Sequence, residues 1–403
     1  GLPGADRLPD ADAARALAAL LAKDADAVRR DHPAFWLAAR VHARTGAKLA
    51  REAVEDFRID FEDGFGVRPD AEEDHHAERT AREVARAHAA GTLPPFIGIR
   101  IKTLSEELKR RAMRTLDLFV STLLAETGGV LPDGFVITLP KITSTEQVAT
   151  ANTMLMLLED AHGLPRDRLK MELMVEVTQS ILGPDGRCPL PAFHDACAGR
   201  LTGAHFGTYD YTASADITAR HQEMDHWACD FAKEMMKVAF AGTGVFLSDG
   251  ATNVMPAPPH RGEDLTAEQR AENVDVVHQA WRLSYRHIRH SLRNGFYQGW
   301  DLHPAQLPVR YAACYAFFLE GLDAATVRLR NFIEKAAQAT LVGDVFDDAA
   351  TGQGLLNYFL RALNAGAVTL AEVQTTGLTV DEIRSRSFLA ILEGRRKGTL
   401  IAT

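Results

Sequence analysis

The sequence predicts an α/β chain built as a (β/α)₈ barrel, with a helical extension at its carboxyl end. Three features predict it. Short apolar, β-branched or aromatic runs alternate with longer helical patterns through the middle of the 403-residue chain, the signature of βαβ units and a parallel sheet. Each run closes on a polar residue: Glu62, Arg100, Lys141, Glu176, Asp210, Asp249 and His303 follow one another at intervals of 38, 41, 35, 34, 39 and 54. A βα unit takes about 30 or more residues, so these polar ends fall once per unit on the carboxyl side of a strand, where a barrel carries its chemistry. Beyond His303 the texture is helical throughout.

Residues 1–53 read as alanine-rich amphipathic helix, "ADAARALAALLAKDADAVRR" and then "FWLAARVHARTGAKLAREAV". The strand runs are "DFRIDFED" at 56–63, "FIGIRI" at 96–101, "GFVITLPK" at 134–141, "LMVEV" at 173–177, "AHFGTYD" at 204–210, "GVFLSDG" at 244–250 and, more weakly, "GWDLHP" at 299–304. Seven strands leave a barrel one short. The eighth is expected before residue 56, either as "AFWLAARV" in disguise or as a strand missing from the chain. The barrel thus spans 54–307, and 308–403 form a helical cap or arm over the barrel mouth or towards a neighbouring subunit of a homo-oligomer.

An apolar content of 46% permits a large core, and a net charge of −9 argues against nucleic acid or an anionic membrane as partner. Small molecules are the expected partners. Four cysteines (Cys188, Cys197, Cys229, Cys314) lie far apart without zinc-site spacing and read as reduced thiols. No run approaches 18 apolar residues, and the first residues lack the pattern of a signal peptide, so a soluble cytoplasmic protein is expected.

The candidate chemistry sits on the polar strand ends. Glu176 and Asp210 end adjacent strands in apolar surroundings, and two buried like charges resist ionising unless a cation lies between them. The oxygen-rich set suits Mg²⁺, with Mn²⁺ as alternative; the competing reading is a core salt bridge for either carboxylate. Arg100, in "GIRIK", offers a fork that matches a carboxylate or enolate oxygen, or else pairs with Glu62 or Asp63. Lys141 follows a proline and reads as a Schiff-base nucleophile or, better, as an ion-pairing partner of the acids. Asp60 and Glu62 share one strand face, with Asp63 on the turn beyond. His303 and Asp63 are placed to touch substrate.

"RIDFEDGFG", "GIRI", "ITLPKI", "MVEVTQSIL", "HFGTYDYT" and "GWDLHPAQL", in that order over roughly 54–307, resemble the citrate lyase β-subunit and malate synthase superfamily, which includes malyl-CoA lyases and HpcH/HpaI aldolases. The resemblance implies a TIM barrel of the pyruvate/phosphoenolpyruvate type and a Mg²⁺-dependent carbon–carbon lyase or aldolase working through an enolate. Its substrate would be a small 2-oxo or 3-hydroxy acid, free or as a CoA thioester. By the same resemblance Glu176 and Asp210 hold the metal, Arg100 the substrate, Lys141 is the Leu-Pro-Lys lysine, and Asp60 with Glu62 surrounds the metal waters. The general base comes from the segment after the barrel, for which Asp344, Asp347 and Asp348 are candidates. Two other readings stand beside this one. One is a CoA-independent aldolase using pyruvate or glyoxylate with an aldehyde; the other is a non-catalytic barrel that binds metal and 2-oxo acid for regulation.

Overall fold

A computed structural model describes residues 9–338 and 349–401. The chain divides into two compact units. The first comprises residues 1–51, 256–292 and 305–403; the second comprises residues 52–255 and 293–304.

The second unit carries the sheet. Seven parallel strands follow in chain order, each paired with the next: β1 (Asp56–Asp60), β2 (Phe96–Arg100), β3 (Phe135–Leu139), β4 (Lys170–Val175), β5 (Leu201–Phe206), β6 (Phe246–Asp249) and β7 (Gln298–Gly299). All five residues of β3 are buried, as parallel strands covered on both faces require. The crossover helices earn their places by periodicity. In Asp70–Ala89 the buried residues Glu73, Ala77, Ala81, Val84 and Ala85 recur at three- and four-residue steps, and Thr145–His162 ends on Gly163 at φ 65°, the left-handed cap glycine favours. Ile99, Ile137, Leu173 and Ala204 from four successive strands join Phe119 and Leu155 of the helices in one core.

This sheet curls as a barrel wall does. Arg58 of β1 donates from Nη2 to Glu172 Oε2 of β4 at 2.8 Å, yet three strand spacings in a flat sheet would separate those strands by about 14 Å. The (β/α)-barrel class is therefore as predicted. The strand count differs: among the described residues there are seven strands, and "AFWLAARV" lies inside the helix Pro33–Glu52, so it is not an eighth strand in disguise. Its buried residues Trp36, Leu37, Val41, Thr45 and Lys48 follow the helical period.

The first unit is helical. Its core runs from Val28, Trp36 and Val41 to Tyr315, Phe318, Leu329, Phe359 and Phe388. Thr369 with Glu372, and Thr379 with Glu382, form capping boxes on two short helices, and Arg44 grips Glu372 at 2.7 and 2.8 Å. Residues 256–292, read from sequence as part of the barrel span, group with this unit. No described helix is long and apolar enough to cross a membrane. The four cysteines are free thiols, and burial pushes Cys197 and Cys229 up to about 12, which keeps them inert.

Candidate functional site

β1 and β2 run in register so that Asp60 lies beside Arg100. The guanidinium donates to Asp60 through Nε at 2.7 Å and Nη2 at 2.6 Å, a bidentate fork. Asp60 also accepts the backbone N–H groups of Glu62 at 3.0 Å and Gly64 at 2.7 Å, so one carboxylate anchors both the arginine and the turn leaving β1. A Cβ at Gly64 would come within 2.6 Å of Asp60 Oδ2, which explains the glycine in "FEDGFG". Burial alone would raise Asp60; the Arg100 hydrogen bonds and charge outweigh it and hold the group below the usual carboxylate range. Arg100 is raised in turn: burial works against the charge, but the bonds and charge of Asp60 prevail.

The turn after β1 brings Glu62 and Asp63 to Lys141. Lys141 Nζ donates to Glu62 Oε1 and to both oxygens of Asp63, at 2.7 and 2.8 Å, and stands 3.6 Å from Asp210 Oδ1. Arg100 Nη1 lies 3.6 Å from Glu62 Oε2. Burial, with Asp63 beside it, pushes Glu62 up to about 7 against the pull of Lys141 and Arg100. Asp63 is held below its usual range; burial opposes this and the hydrogen bonds to Glu62 and Lys141 overcome it. Burial would also lower Lys141, yet its bonds to Asp63 and Glu62 raise it, which favours the protonated amine over the neutral one a Schiff base needs. The ion-pairing alternative is what the geometry shows.

Lys141 also carries backbone strain, with φ at +49° directly after Pro140. In that conformation its N–H donates to Glu176 Oε1 at 2.8 Å. Glu176 immediately follows β4, and its opposite wall is Gly207, where a Cβ would fall 2.5 Å from Glu176 Oε2. Burial pushes Glu176 up to about 7, and the charge of Asp210 adds to the shift; Asp210 is itself raised, chiefly by burial.

Asp210 occupies the first turn of the helix Thr208–Ser214 rather than a strand end, and its flanking tyrosines are structural. Tyr209 Oη donates to Ala251 O and accepts from Asn253 N, both at 2.9 Å, clamping the loop after β6. Tyr211 is buried against Phe206, their rings 5.3 Å apart.

Asp60, Glu62, Asp63, Glu176 and Asp210 thus crowd around Arg100 and Lys141. Five carboxylates against two cations, with Glu176 and Asp210 each raised, form an oxygen-only donor set short of positive charge. A hard divalent ion fits that chemistry.

Four residues of this end of the sheet were missed in the sequence. Glu172, in mid-β4, accepts from Arg58 and lies 2.8 Å from His205 Nε2, while Trp300 Nε1 donates to His205 Nδ1 at 3.0 Å. Since an indole N–H only donates, Nδ1 accepts and the imidazole proton sits on Nε2, pointing at Glu172. Glu172 is driven down to about 2: burial opposes, and His205 and Arg58 overcome it. For three of them the signal was a charged or imidazole side chain inside a strand, Arg58 in "DFRID", Glu172 in "KMELMV" and His205 in "LTGAHF".

The other expected members differ in placement. Asp249 closes β6 but pairs with the buried Lys233 at 3.1 Å. His303 is exposed and lies four residues beyond β7. Asp344, Asp347 and Asp348 lie outside the described residues. Four of the five cations of the 102–114 stretch hold a carboxylate: Arg111 and Arg114 both hold Asp74, Lys109 holds Glu106, and Lys102 holds Glu73, while Arg110 is exposed.

A citrate lyase from Burkholderia xenovorans LB400 is similar in structure, at 19% identity and a TM-score of 0.57 over 84% of this chain and 92% of its own. At that identity the likeness is one of fold, and it agrees with the barrel that the motifs imply. A Haloferax volcanii malate synthase magnesium/glyoxylate complex matches at 16% identity and a TM-score of 0.47 over 88% of this chain and 92% of that one. The citrate lyase β-subunit from M. tuberculosis, complexed with oxaloacetate and magnesium, matches at 16% and 0.40 over 68% and 93%. No curated protein matches the chain. The model of the domain of unknown function DUF6986 matches residues 5–391, nearly the whole length, and the chain belongs to that family.

Proposed function

We propose that the chain is a divalent-cation-dependent carbon–carbon lyase or aldolase that acts through an enolate on a small 2-oxo or 3-hydroxy acid. The observation that carries this reading is the pair Glu176 and Asp210, each raised by burial and Glu176 further by the charge of Asp210, just beyond β4 and β5 in one cluster with Arg100. Those two carboxylates would hold Mg²⁺, with Mn²⁺ as the alternative ion. When bound, the ion supplies Lewis acidity to the carbonyl and carboxylate of a 2-oxo acid.

The chain's own residues do the rest. Arg100, its Nε and Nη2 tied to Asp60, offers Nη1 to the substrate oxygen that gains charge as the enolate forms. Glu62, poised at about 7 between Arg100 and Lys141, exchanges a proton with the substrate near neutral pH. Lys141 stays charged, holds Glu62 and Asp63 in place, and presents its N–H to Glu176. The free acid is favoured over its CoA thioester, because four of the five cations that would meet CoA phosphates in the 102–114 stretch, all but Arg110, already have carboxylate partners.

The test is deuterium wash-in to the methyl group of pyruvate, followed by NMR. Exchange is expected with Mg²⁺ and lost with EDTA, in Glu176→Ala and in Asp210→Ala. Tight pyruvate binding without exchange would favour the regulatory barrel instead. Unchanged exchange and metal affinity in both variants would sink the metal assignment. Cleavage of free 4-hydroxy-2-oxo acids but not of malyl-CoA or citramalyl-CoA is the expected substrate pattern.

A further inference from the structure

Arg100 is restrained on two sides that differ in kind. Asp60 grips it edge-on through Nε and Nη2, which fixes the guanidinium within its own plane. The ring of Trp300 lies 5.5 Å from Cζ, a cation–π separation, and so restrains the group from another direction. Only Nη1 is left by the Asp60 fork, and it faces Glu62 at 3.6 Å.

Trp300 is itself anchored at both ends. Its backbone N–H donates to Gly250 O at 3.2 Å, and its indole N–H donates to His205 Nδ1 at 3.0 Å. His205, 3% exposed, donates its Nε2–H to Glu172, and Arg58 closes the chain on Glu172 from β1. A buried row of charged and polar groups inside a parallel barrel is costly unless every member is satisfied, and here it is satisfied end to end. The row terminates on one aromatic ring, and that ring terminates on Arg100.

We infer that Trp300 is the positioning residue for Arg100: clamped by His205, its indole keeps Nη1 aimed at the substrate oxygen. This rests on the lyase reading for its substrate, though the clamp on Arg100 is measurable without one. It acts through Arg100 and does no chemistry itself.

The experiment compares Trp300→Leu, which removes the aromatic face, with Trp300→Phe, which keeps the face and drops the indole N–H. Three quantities are read in the full-length protein. They are the rate of phenylglyoxal modification at Arg100 relative to Arg111 in the same chain, by peptide mass spectrometry; the kcat of Mg²⁺-dependent pyruvate deuteration; and Mn²⁺ affinity. Trp300→Leu is expected to raise Arg100 modification about tenfold and lower kcat about tenfold, with Mn²⁺ affinity unchanged, whereas Trp300→Phe, which keeps the ring but loses the His205 clamp, falls between Trp300→Leu and the parent in both. A purely structural role would lower metal affinity together with kcat. Should Trp300→Leu fail to fold, Trp300→Met removes the face with a side chain of similar reach.

Arg100 modification that is the same in the Leu, Phe and parent proteins overturns the inference. Faster Arg100 modification in a protein that shows no pyruvate exchange upholds the clamp and overturns the lyase reading.

Discussion

Asp60 and Arg100, neighbours on β1 and β2, share two hydrogen bonds of 2.6 and 2.7 Å, and Asp60 spends its remaining capacity on the backbone of the turn that carries Glu62 and Asp63. One carboxylate therefore sets the arginine and the acidic turn together. Asp60→Asn keeps the shape but gives the fork an amide where it needs an oxygen. Pyruvate deuteration is expected to fall by about 100-fold, the scale of losing an aligned charge-stabilising donor, with a loss of stability of about 1–3 kcal/mol. Exchange kinetics and urea denaturation read the two effects, and a variant with unchanged exchange would remove Asp60 from the assignment.

Glu62 sets the pH profile. With its group raised to about 7 by burial, the rate of exchange is expected to climb as pH rises through that value and to level above it, because the ionised form accepts the proton. Glu62→Gln should lose most of the rate and flatten what remains. A variant that kept the same inflection would place the titrating group elsewhere.

Gly207 bears on Glu176, one of the two proposed metal ligands, without carrying a charge of its own. A methyl group there meets Glu176 Cβ and Oε2 at 2.5 Å, closer than packed atoms tolerate. Gly207→Ala should fold, displace the Glu176 carboxylate and weaken Mn²⁺ binding by about tenfold or more. Isothermal titration measures it, and parent-like affinity would show that Glu176 does not need that wall.

Glu172 couples the interior row to stability. Its folded pKa, down to about 2, lies below the ordinary glutamate value. The depressed group therefore contributes stability that is present above about pH 4.5 and lost as pH falls towards about 2. Glu172→Ala leaves Arg58 and His205 buried without their partner, at a cost of about 3–5 kcal/mol at neutral pH, and shrinks the difference between neutral and acid stability. Denaturation curves at several pH values would show it; equal acid slopes in parent and variant would contradict the assignment.

The sequence by itself determined the rhythm of this protein. Alternating apolar runs and helical stretches located seven parallel strands, because burial on both faces leaves few polar positions except at strand ends, and those ends named Glu62, Arg100, Lys141, Glu176 and Asp210, together with Asp249, which pairs with Lys233, and His303, which is exposed. The glycines beside Asp60 and Glu176 were visible too, though not their reason. Only the tertiary structure decided what crosses the sheet. Arg58 reaches Glu172, and Arg100 reaches Trp300, because the strands curl and bring together residues more than a hundred positions apart. Periodicity records which way a side chain faces, whereas curvature decides what it meets there. The same limit applies to residues 33–52, whose helical packing against their own unit, and not their local composition, settles that they form no strand.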